Sequence, residues 1–157
     1  MSIHLQDRAV LNDVVQQMLR VSGYVHKSSL DHRLLELVSM RASQINGCAF
    51  CLAMHAKALR EAGEREDRLA VLPAWRETDW FTPRERAALA WTEALTTLPN
   101  QEVPEDVAAE ALSEFSEKEL ADLTLAVIVI NGWNRLNVAF HNPPVAYTFD
   151  QEPVAAD

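Results

Sequence analysis

The sequence predicts an all-α protein, and three observations support this prediction. Glycine is scarce, with four residues among 157, and the one Asn-Gly pair, Asn46-Gly47, has flanks with helical rather than alternating periodicity. Apolar residues recur along most of the chain at intervals of three and four. Two segments carry complete helix-start signals, Thr82-Pro83-Arg84-Glu85 and Ser116 with Glu119. These patterns favour helices and give no signal for a sheet.

Periodicity predicts three helices in the first part of the chain. The first runs from about Arg8 to Val21. Asp31 can cap a second helix, from His32 to about Ile45. A third runs from about Cys48 to Ala62, where Gly63 is a natural C-terminal stop. Because the connection between the second and third helices is short, we expect these two to pack as a hairpin.

The rest of the chain is predicted to hold a short interrupted helix, three longer helices and a tail. The four helical segments are about Glu64–Asp79, Thr82–Thr97, Pro104–Phe115 and Ser116–Phe140. Pro73 interrupts the first of them. Residues 141–157 are broken by prolines and lack periodicity. No repeat or linker divides the chain, so residues 1–157 are predicted to form a single domain with a core of about 8–140.

Charge and hydropathy exclude several functions. The formal net charge is −9 and no cluster of Lys and Arg forms a stripe, so we expect no nucleic acid and no anionic membrane as partner. The N-terminus lacks the pattern of a signal peptide, and the longest apolar stretch, LTLAVIVI, is too short to span a bilayer. We therefore expect a cytoplasmic protein. In that compartment a cysteine pair is more often catalytic, redox-active or metal-binding than a structural disulfide.

Both cysteines of the chain lie in one short stretch, NGCAFCLAMH. On a helix Cys48, Cys51 and His55 share one face, because offsets of three and four residues close successive turns. Three interpretations are open: a redox dithiol, a metal site formed with Glu36, or two small buried side chains that are neighbours. Zinc sites usually draw ligands from a distant segment as well, and consecutive turns of one helix crowd the tetrahedron. The redox dithiol is therefore the preferred interpretation.

The spacing alone leaves open which cysteine attacks a substrate. Cys48 stands at the predicted helix start, where the first-turn amides and the helix dipole favour a thiolate. Cys51 lies one turn deeper, with His55 one turn away as a possible base. The helix terminus thus favours Cys48 and the histidine favours Cys51.

Glu36 is the fourth candidate residue. It stands between Leu35 and Leu37 on a helix that is apolar nearly all round, where a carboxylate is costly to bury unless it is paired or used. The predicted hairpin would let Glu36 reach His55, or a water between them, and so serve proton transfer. The alternative is an ion pair with an arginine in the core.

Other polar residues are predicted to have structural roles. Asn131, Asn134, Arg135 and Asn137 interrupt the last helix, and we interpret them as a hydrogen-bonded network that fixes helix packing or a subunit contact. A substrate pocket is the alternative interpretation. The remaining histidines have no regular spacing and are predicted to lie at the surface or at helix ends: His4, His26, His32 and His141.

Taken together, these residues resemble a known family. Glu36, Cys48, Cys51 and His55, within LLELVSMRASQINGCAFCLAMHAKALREAG, resemble the alkylhydroperoxidase D-like branch of the carboxymuconolactone decarboxylase family. Two downstream segments, FTPRERAALAWTEALT and FSEKELADLTLAVIVINGWNRLNVAF, are also similar to that branch. The resemblance covers about Leu30 to Phe140.

The resemblance implies an antioxidant thiol peroxidase. It implies that Cys51 attacks the peroxide and becomes a sulfenic acid, which Cys48 resolves to an intrahelical disulfide. Glu36 and His55, through a water, would activate Cys51. The best-known members carry a further histidine where this chain has Phe50.

The resemblance also implies the partners of the chain. The expected substrate is a peroxide, the expected reductant is a lipoyl-type or other dithiol, and the expected assembly is a homo-oligomer, a trimer or a hexamer. No metal or organic cofactor is expected. A non-catalytic redox sensor or binding subunit that uses the same dithiol is the second hypothesis.

Overall fold

Residues 8–144, which the computed structural model describes, fold into seven α-helices and three short 3-10 turns without a strand. The helices are α1 Asn12–His26, α2 His32–Asn46, α3 Ala49–Glu61, α4 Glu66–Val71, α5 Pro83–Thr97, α6 Glu105–Glu114 and α7 Glu117–Ala139. The prediction of an all-α fold is therefore confirmed. Most of the predicted tail, residues 145–157, lies outside the described residues, as does His4.

Helix α2 lies at the centre of the bundle, where it packs against α3, α5 and α7. Its buried residues contribute to three separate apolar clusters: Leu35 and Val38 to one, Leu37 to a second and Ala42 to a third. A helix that contacts neighbours on several sides must be apolar nearly all round, as the sequence of α2 is. Glu36 lies on this central helix, between the buried Leu35 and Leu37.

Side-chain caps fix the starts of the longer helices. Thr82 and Glu85 exchange hydrogen bonds with each other's backbone N–H groups at 3.2 and 2.8 Å, and Ser116 and Glu119 form the same capping box at α7. The Asp31 carboxylate accepts the Leu34 N–H at 3.0 Å. Each such cap typically stabilises its helix by about 1 kcal/mol. The predicted starts of α2, α5 and α7 are accordingly confirmed.

The first helix differs from its prediction. Residues Arg8–Leu11 form a 3-10 turn, and the α-helix that follows continues to His26 rather than ending near Val21. Its last part is held by contacts with α7, since Trp133 Nε1 donates to Ser22 Oγ at 2.9 Å. Such contacts offset the roughly 1 kcal/mol that Gly23 costs inside a helix, and they are invisible to local periodicity.

A tight junction joins α2 to α3. Gly47 adopts a left-handed conformation (φ 65°), which glycine enters without the steric penalty of a side chain, and ends α2. Cys48 is extended and is the N-cap of α3, and its N–H donates to the Ser43 carbonyl at 3.1 Å. The predicted hairpin of α2 and α3 is confirmed, with the cysteine pair at its turn.

None of the helices between residues 8 and 144 combines the length and the apolar character that crossing a bilayer would demand.

Candidate active site

The two cysteine sulfurs are in contact at the start of α3. Cys48 Sγ and Cys51 Sγ lie 2.7 Å apart, and both residues are free thiols that are 1% exposed. The Cys51 N–H donates to Cys48 Sγ at 3.4 Å, so the first sulfur also caps the helix. A pair this close is placed to form a disulfide within α3, but any reagent must reach it through the surrounding side chains.

The surroundings of the pair keep Cys51 protonated. It packs with Cys48, Ala42 and Ile130 in a buried cluster. Burial, followed by the neighbouring Cys48, raises the pKa of the Cys51 thiol to about 12, although contacts from α7 lower it in part. A pKa of about 12 leaves roughly one thiol in 10⁵ ionised at pH 7. Reaction at neutral pH therefore calls for a base that removes this proton.

A carboxylate–imidazole pair lies on the same two helices. His55 Nδ1 is 2.7 Å from Glu36 Oε2, so the predicted contact between these residues is confirmed. The alternative prediction, an ion pair between Glu36 and an arginine, is not confirmed. Where the carboxylate oxygen accepts a hydrogen bond from Nδ1, the imidazole proton lies on that nitrogen. In a neutral imidazole of this tautomer the other ring nitrogen, Nε2, carries the lone pair.

That second nitrogen is buried without a hydrogen-bond partner among residues 8–144. Leaving a buried polar atom unpaired costs about 1–3 kcal/mol, so such atoms are rare without a reason. His55 is 7% exposed and, with Glu36 and Ser39, lines a mainly apolar cavity of about 90 Å³. Since one water needs roughly 10–15 Å³ of such space, the cavity that His55 lines has room for a small molecule.

The cavity and the dithiol share a wall. Ile130 and Trp133 of α7 line the cavity and also pack around the cysteine pair. The indole N–H of Trp133 donates to Ser22 Oγ, which holds that side of the wall in place. A molecule in the cavity is thus close to the apolar cluster that contains both sulfurs.

The cavity is also lined by a residue that was not predicted from the sequence to belong to the site. His26 is the last residue of α1, as predicted for a helix-end histidine, but its side chain also lines the cavity. Its ring stacks on that of His32, with centroids 5.9 Å apart. The chain separates His26 from His55 by 29 residues, so no sequence spacing could have joined them.

The asparagines of α7 form the predicted hydrogen-bonded network. Asn46 Nδ2 donates to both Asn131 Oδ1 and Asn134 Oδ1, at 3.0 and 2.9 Å, and ties the end of α2 to α7. Asn137 Nδ2 lies 3.5 Å from Cys51 Sγ, a contact that the sequence interpretation did not include. The available signal was the spacing of residues 131, 134 and 137, which puts all three on one face of an apolar helix.

The four predicted residues form two contacting pairs rather than one ligand set. Cys48 contacts Cys51, and Glu36 contacts His55. Within residues 8–144 there is no group of three or more His, Cys, Asp or Glu side chains arranged to hold a metal ion. The donor geometry therefore gives no support to the zinc interpretation.

The fold and the site define an all-α protein with a buried dithiol at a helix start and a carboxylate–histidine pair on the same two helices. Comparison with known proteins identifies its family. The sequence model of the carboxymuconolactone decarboxylase family matches residues 12–94, which include all four candidate residues. The chain belongs to the carboxymuconolactone decarboxylase family.

Individual relatives agree with this assignment. The chain is 38% identical over 125 residues to the uncharacterized protein YdfG of Bacillus subtilis (strain 168), covering 80% of this chain and 85% of that protein. A crystal structure from Agrobacterium tumefaciens, of a protein of unknown function related in its description to the antioxidant defence protein AhpD, is 33% identical. It superposes with a TM-score of 0.86 over 92% of this chain and 99% of that one.

A more distant structure shares the fold alone. It is that of an uncharacterized peroxidase-related protein from Silicibacter sp. TM1040, with 20% identity and a TM-score of 0.76. The match covers 85% of this chain and 71% of that one. These similarities establish the alkylhydroperoxidase D-like fold.

Proposed function

We propose that this protein is a thiol-dependent peroxidase that reduces peroxides through a dithiol–disulfide cycle of Cys48 and Cys51. One observation carries the proposal: the His55 imidazole, which a carboxylate orients and whose buried Nε2 has no partner among the described residues, lines a small cavity that shares a wall with a buried dithiol. The family and the relation of the Agrobacterium protein to antioxidant defence support the same function.

The first chemical step requires removal of the Cys51 proton. His55 Nε2 accepts this proton, directly or through a water, and Glu36 stabilises the imidazolium that forms. The Cys51 thiolate then attacks one peroxide oxygen, so that a sulfur–oxygen bond forms as the oxygen–oxygen bond breaks. The imidazolium returns the proton to the departing alkoxide, which leaves as an alcohol. Cys51 is oxidised to the sulfenic acid.

The second step uses the contact between the two sulfurs. Cys48 attacks the Cys51 sulfenic acid, a disulfide forms, and the displaced hydroxide takes up the Cys48 proton and leaves as water. From a separation of 2.7 Å, a disulfide bond of about 2.05 Å requires the sulfurs to approach by less than about 1 Å. An external dithiol then restores both thiols by exchange, and the cycle as a whole converts a peroxide and a dithiol to an alcohol, water and a disulfide.

The partners in this proposal come from the family resemblance. The reductant is a lipoyl-type dithiol or another thiol donor, and the working assembly is a homotrimer or a homohexamer. The proposed location is the cytoplasm, where such donors are kept reduced.

A redox sensor is the second candidate function, and one observation favours it. Both sulfurs are 1% exposed, and Cys51 has a pKa of about 12, which suits a thiol that reacts slowly and acts as a switch. Catalytic turnover separates the candidates, because a switch needs to react only once.

The test is peroxide consumption by the purified protein with a dihydrolipoyl donor, compared with thioredoxin as donor. A peroxidase consumes many equivalents of peroxide per chain with at least one donor, and Cys51→Ser removes this activity. Oxidation of Cys48 and Cys51 by one equivalent without turnover would instead assign the protein to the sensor class. Stable reduced thiols in excess peroxide would contradict both candidates.

A further inference from the structure

We infer that Asn137 of α7 is a hydrogen-bond donor that stabilises the thiolate of Cys51, whose sulfur lies 3.5 Å from its side-chain nitrogen. The use of this donor in catalysis rests on the proposed function, but its existence is a property of the reduced protein. It gives α7 a chemical role beyond helix packing.

The orientation of the Asn137 amide is fixed by its neighbours. Asn142 Nδ2 donates to Asn137 Oδ1 at 2.7 Å, so the oxygen of the amide is occupied by a donor. The NH₂ group must then point the other way, where it lies 2.9 Å from the Trp133 carbonyl and 3.5 Å from Cys51 Sγ. Both of these atoms accept hydrogen bonds, and 3.5 Å is an ordinary length for a bond to the larger sulfur atom.

A second chain of hydrogen bonds fixes the orientation of the Asn134 amide. Asn46 Nδ2 donates to Asn134 Oδ1, and Asn134 Nδ2 donates to Ser43 Oγ, both at 2.9 Å. Ser43 Oγ in turn donates to the Ser39 carbonyl of α2 at 2.7 Å. Both partners of this amide belong to α2, so Asn134 holds the α2–α3 hairpin against α7 one turn away from Asn137. Burial raises the pKa of Cys51, and the Asn137 contact lowers it in part.

Burial increases the effect of the Asn137 donor. Asn137 is 6% exposed, so bulk water does not compete for its N–H group. When Cys51 loses its proton, a neutral N–H···S contact becomes a charge-assisted hydrogen bond, which is roughly twice as strong. The donor thus favours the thiolate over the thiol. The Cys51 N–H cannot serve the same purpose, because it donates to Cys48 Sγ.

The experiment measures alkylation of Cys51 by iodoacetamide at pH 8 in the full-length Cys48→Ser protein, which leaves one thiol and keeps a side chain suited to the helix cap. Asn137→Leu removes the donor, and Asn137→Asp replaces it with an acceptor of the same shape. We expect Asn137→Leu to slow alkylation about tenfold, equivalent to a rise of about one unit in the Cys51 pKa, and Asn137→Asp to slow it further. Asn137→Gln, which keeps an amide, should recover part of the rate.

Two controls separate a donor effect from a change in packing. Thr124→Val makes a polar-to-apolar change on α7 at a residue that bonds Trp91 and the Leu120 carbonyl, outside the asparagine network, and should leave the rate within about twofold. In a Cys51→Ser protein, alkylation of Cys48 reports local opening of the same site, and Asn137→Leu should not change it. Equal changes at both cysteines, or no change at either, would overturn the inference.

A third variant covers a failure to fold. Asn142→Ala leaves the buried amides intact but removes the donor that orients Asn137, and it lies beyond the end of α7. It should slow Cys51 alkylation about threefold without changing the melting temperature, and an unchanged rate would count against the inference. None of these alkylation rates involves a peroxide. A wild-type protein that fails to consume peroxide would therefore refute the proposed function, whereas the alkylation rates alone decide this inference.

Discussion

Two carboxylates lie near helix α3, and they differ in burial and in how their polar atoms are paired. Glu36, beside the middle of α3, contacts His55 at 2.7 Å, and the far nitrogen of that imidazole has no partner among residues 8–144. Glu64, just after the end of α3, has a fully buried side chain that accepts hydrogen bonds from Arg33, Arg68 and the Arg65 N–H, the shortest to each at 2.9 Å.

The partners of Glu64 make that site a structural anchor. Burial alone would raise the pKa of its carboxyl, but the Arg65 N–H, Arg33 and Arg68 outweigh it and hold the pKa below its usual range. Arg68 also donates to Glu85 at 2.8 Å and lies 4.4 Å above the ring of Phe81. These contacts tie α2, α4 and α5 together and leave no lone pair directed at a cavity.

The difference teaches that an incomplete hydrogen-bond network, rather than burial of a charge by itself, marks the site proposed for proton transfer. The Glu64 side chain is fully buried and accepts from two arginines and a backbone N–H, so this cluster holds helices in place. The Glu36 side chain is 19% exposed and contacts His55, whose Nε2 has no partner among residues 8–144. In the proposed function this nitrogen accepts the proton.

The largest expected effect concerns the residue that this available base would serve. Cys51→Ser should abolish reaction with peroxide, because no thiolate remains to attack. Cys48→Ser should retain a single turnover and leave a sulfenic acid on Cys51, while steady-state recycling stops. Rapid-quench kinetics with a sulfenic-acid probe measures both. Labelling of Cys48 in the Cys51→Ser protein would reverse the assigned order.

The second prediction tests the carboxylate–imidazole pair directly. His55→Ala and Glu36→Gln should slow the first oxidation step by about a hundredfold, within the range for loss of a general base, without preventing a disulfide formed by a chemical oxidant. Glu64→Gln is the matched control at the satisfied site. The oxidation rate of the Glu64→Gln protein, measured by stopped flow at a temperature below its unfolding transition, should stay within about threefold of wild type. A loss of rate as large as that of Glu36→Gln would show that the two sites do not differ in function.

The third prediction compares how much Glu64 and Glu36 contribute to stability, and here the larger effect is expected at Glu64. Glu64→Gln should lower the free energy of unfolding by about 2–3 kcal/mol, because it weakens the charged hydrogen bonds from Arg33 and Arg68, although Arg68 keeps Glu85 as a second carboxylate. Glu36→Gln should cost less than about 1.5 kcal/mol, since an amide oxygen can still accept from His55 Nδ1. Urea denaturation followed by circular dichroism measures both, and equal losses would contradict the assignment of Glu64 as the anchor.

The fourth prediction is a smaller effect of acid. The carboxyls of Glu64 and Glu93 both have pKa values held below the usual range, Glu93 by Arg76, Trp75 and Arg41 against the opposing effect of burial. A lowered pKa in the folded state stabilises the protein above the unfolded-state pKa of about 4.5, and this stabilisation is lost as pH falls through the folded-state value. Unfolding free energy should therefore decrease below about pH 4.5. The decrease should be shallower in Glu64→Gln, and parallel curves would show that Glu64 is not a source of it.

Local sequence signals predicted the parts of the fold and site that depend on local physics. Asp31, Thr82 and Ser116 cap helices within three residues of themselves, so their effect can be read directly from the sequence. The contact between Glu36 and His55 was also accessible, because a short turn joins two strongly periodic helices and leaves few ways to pair them.

Contacts between distant segments were not accessible in this way. Asn137 reaches Cys51 across 86 residues, and this contact depends on the placement of α7 against the α2–α3 hairpin. The Glu64 anchor lies in a highly charged stretch that resembles a solvated surface. Only the folded structure, in which Arg33 of α2 and Arg68 of α4 both reach Glu64, shows that its carboxylate is buried. The end of α1 was predicted too early for the same reason, since contacts with α7 extend it.

The cap at the start of α3 gives the dithiol a second property. Most helices begin on an oxygen acceptor, whereas here the Cys51 N–H donates to Cys48 Sγ at 3.4 Å. Any change in the charge or covalent state of that sulfur changes the hydrogen bond, and with it the magnetic environment of the Cys51 amide proton. The chemical shift of this single backbone amide in a ¹⁵N-labelled sample therefore serves as a built-in, label-free indicator of the oxidation state of the protein.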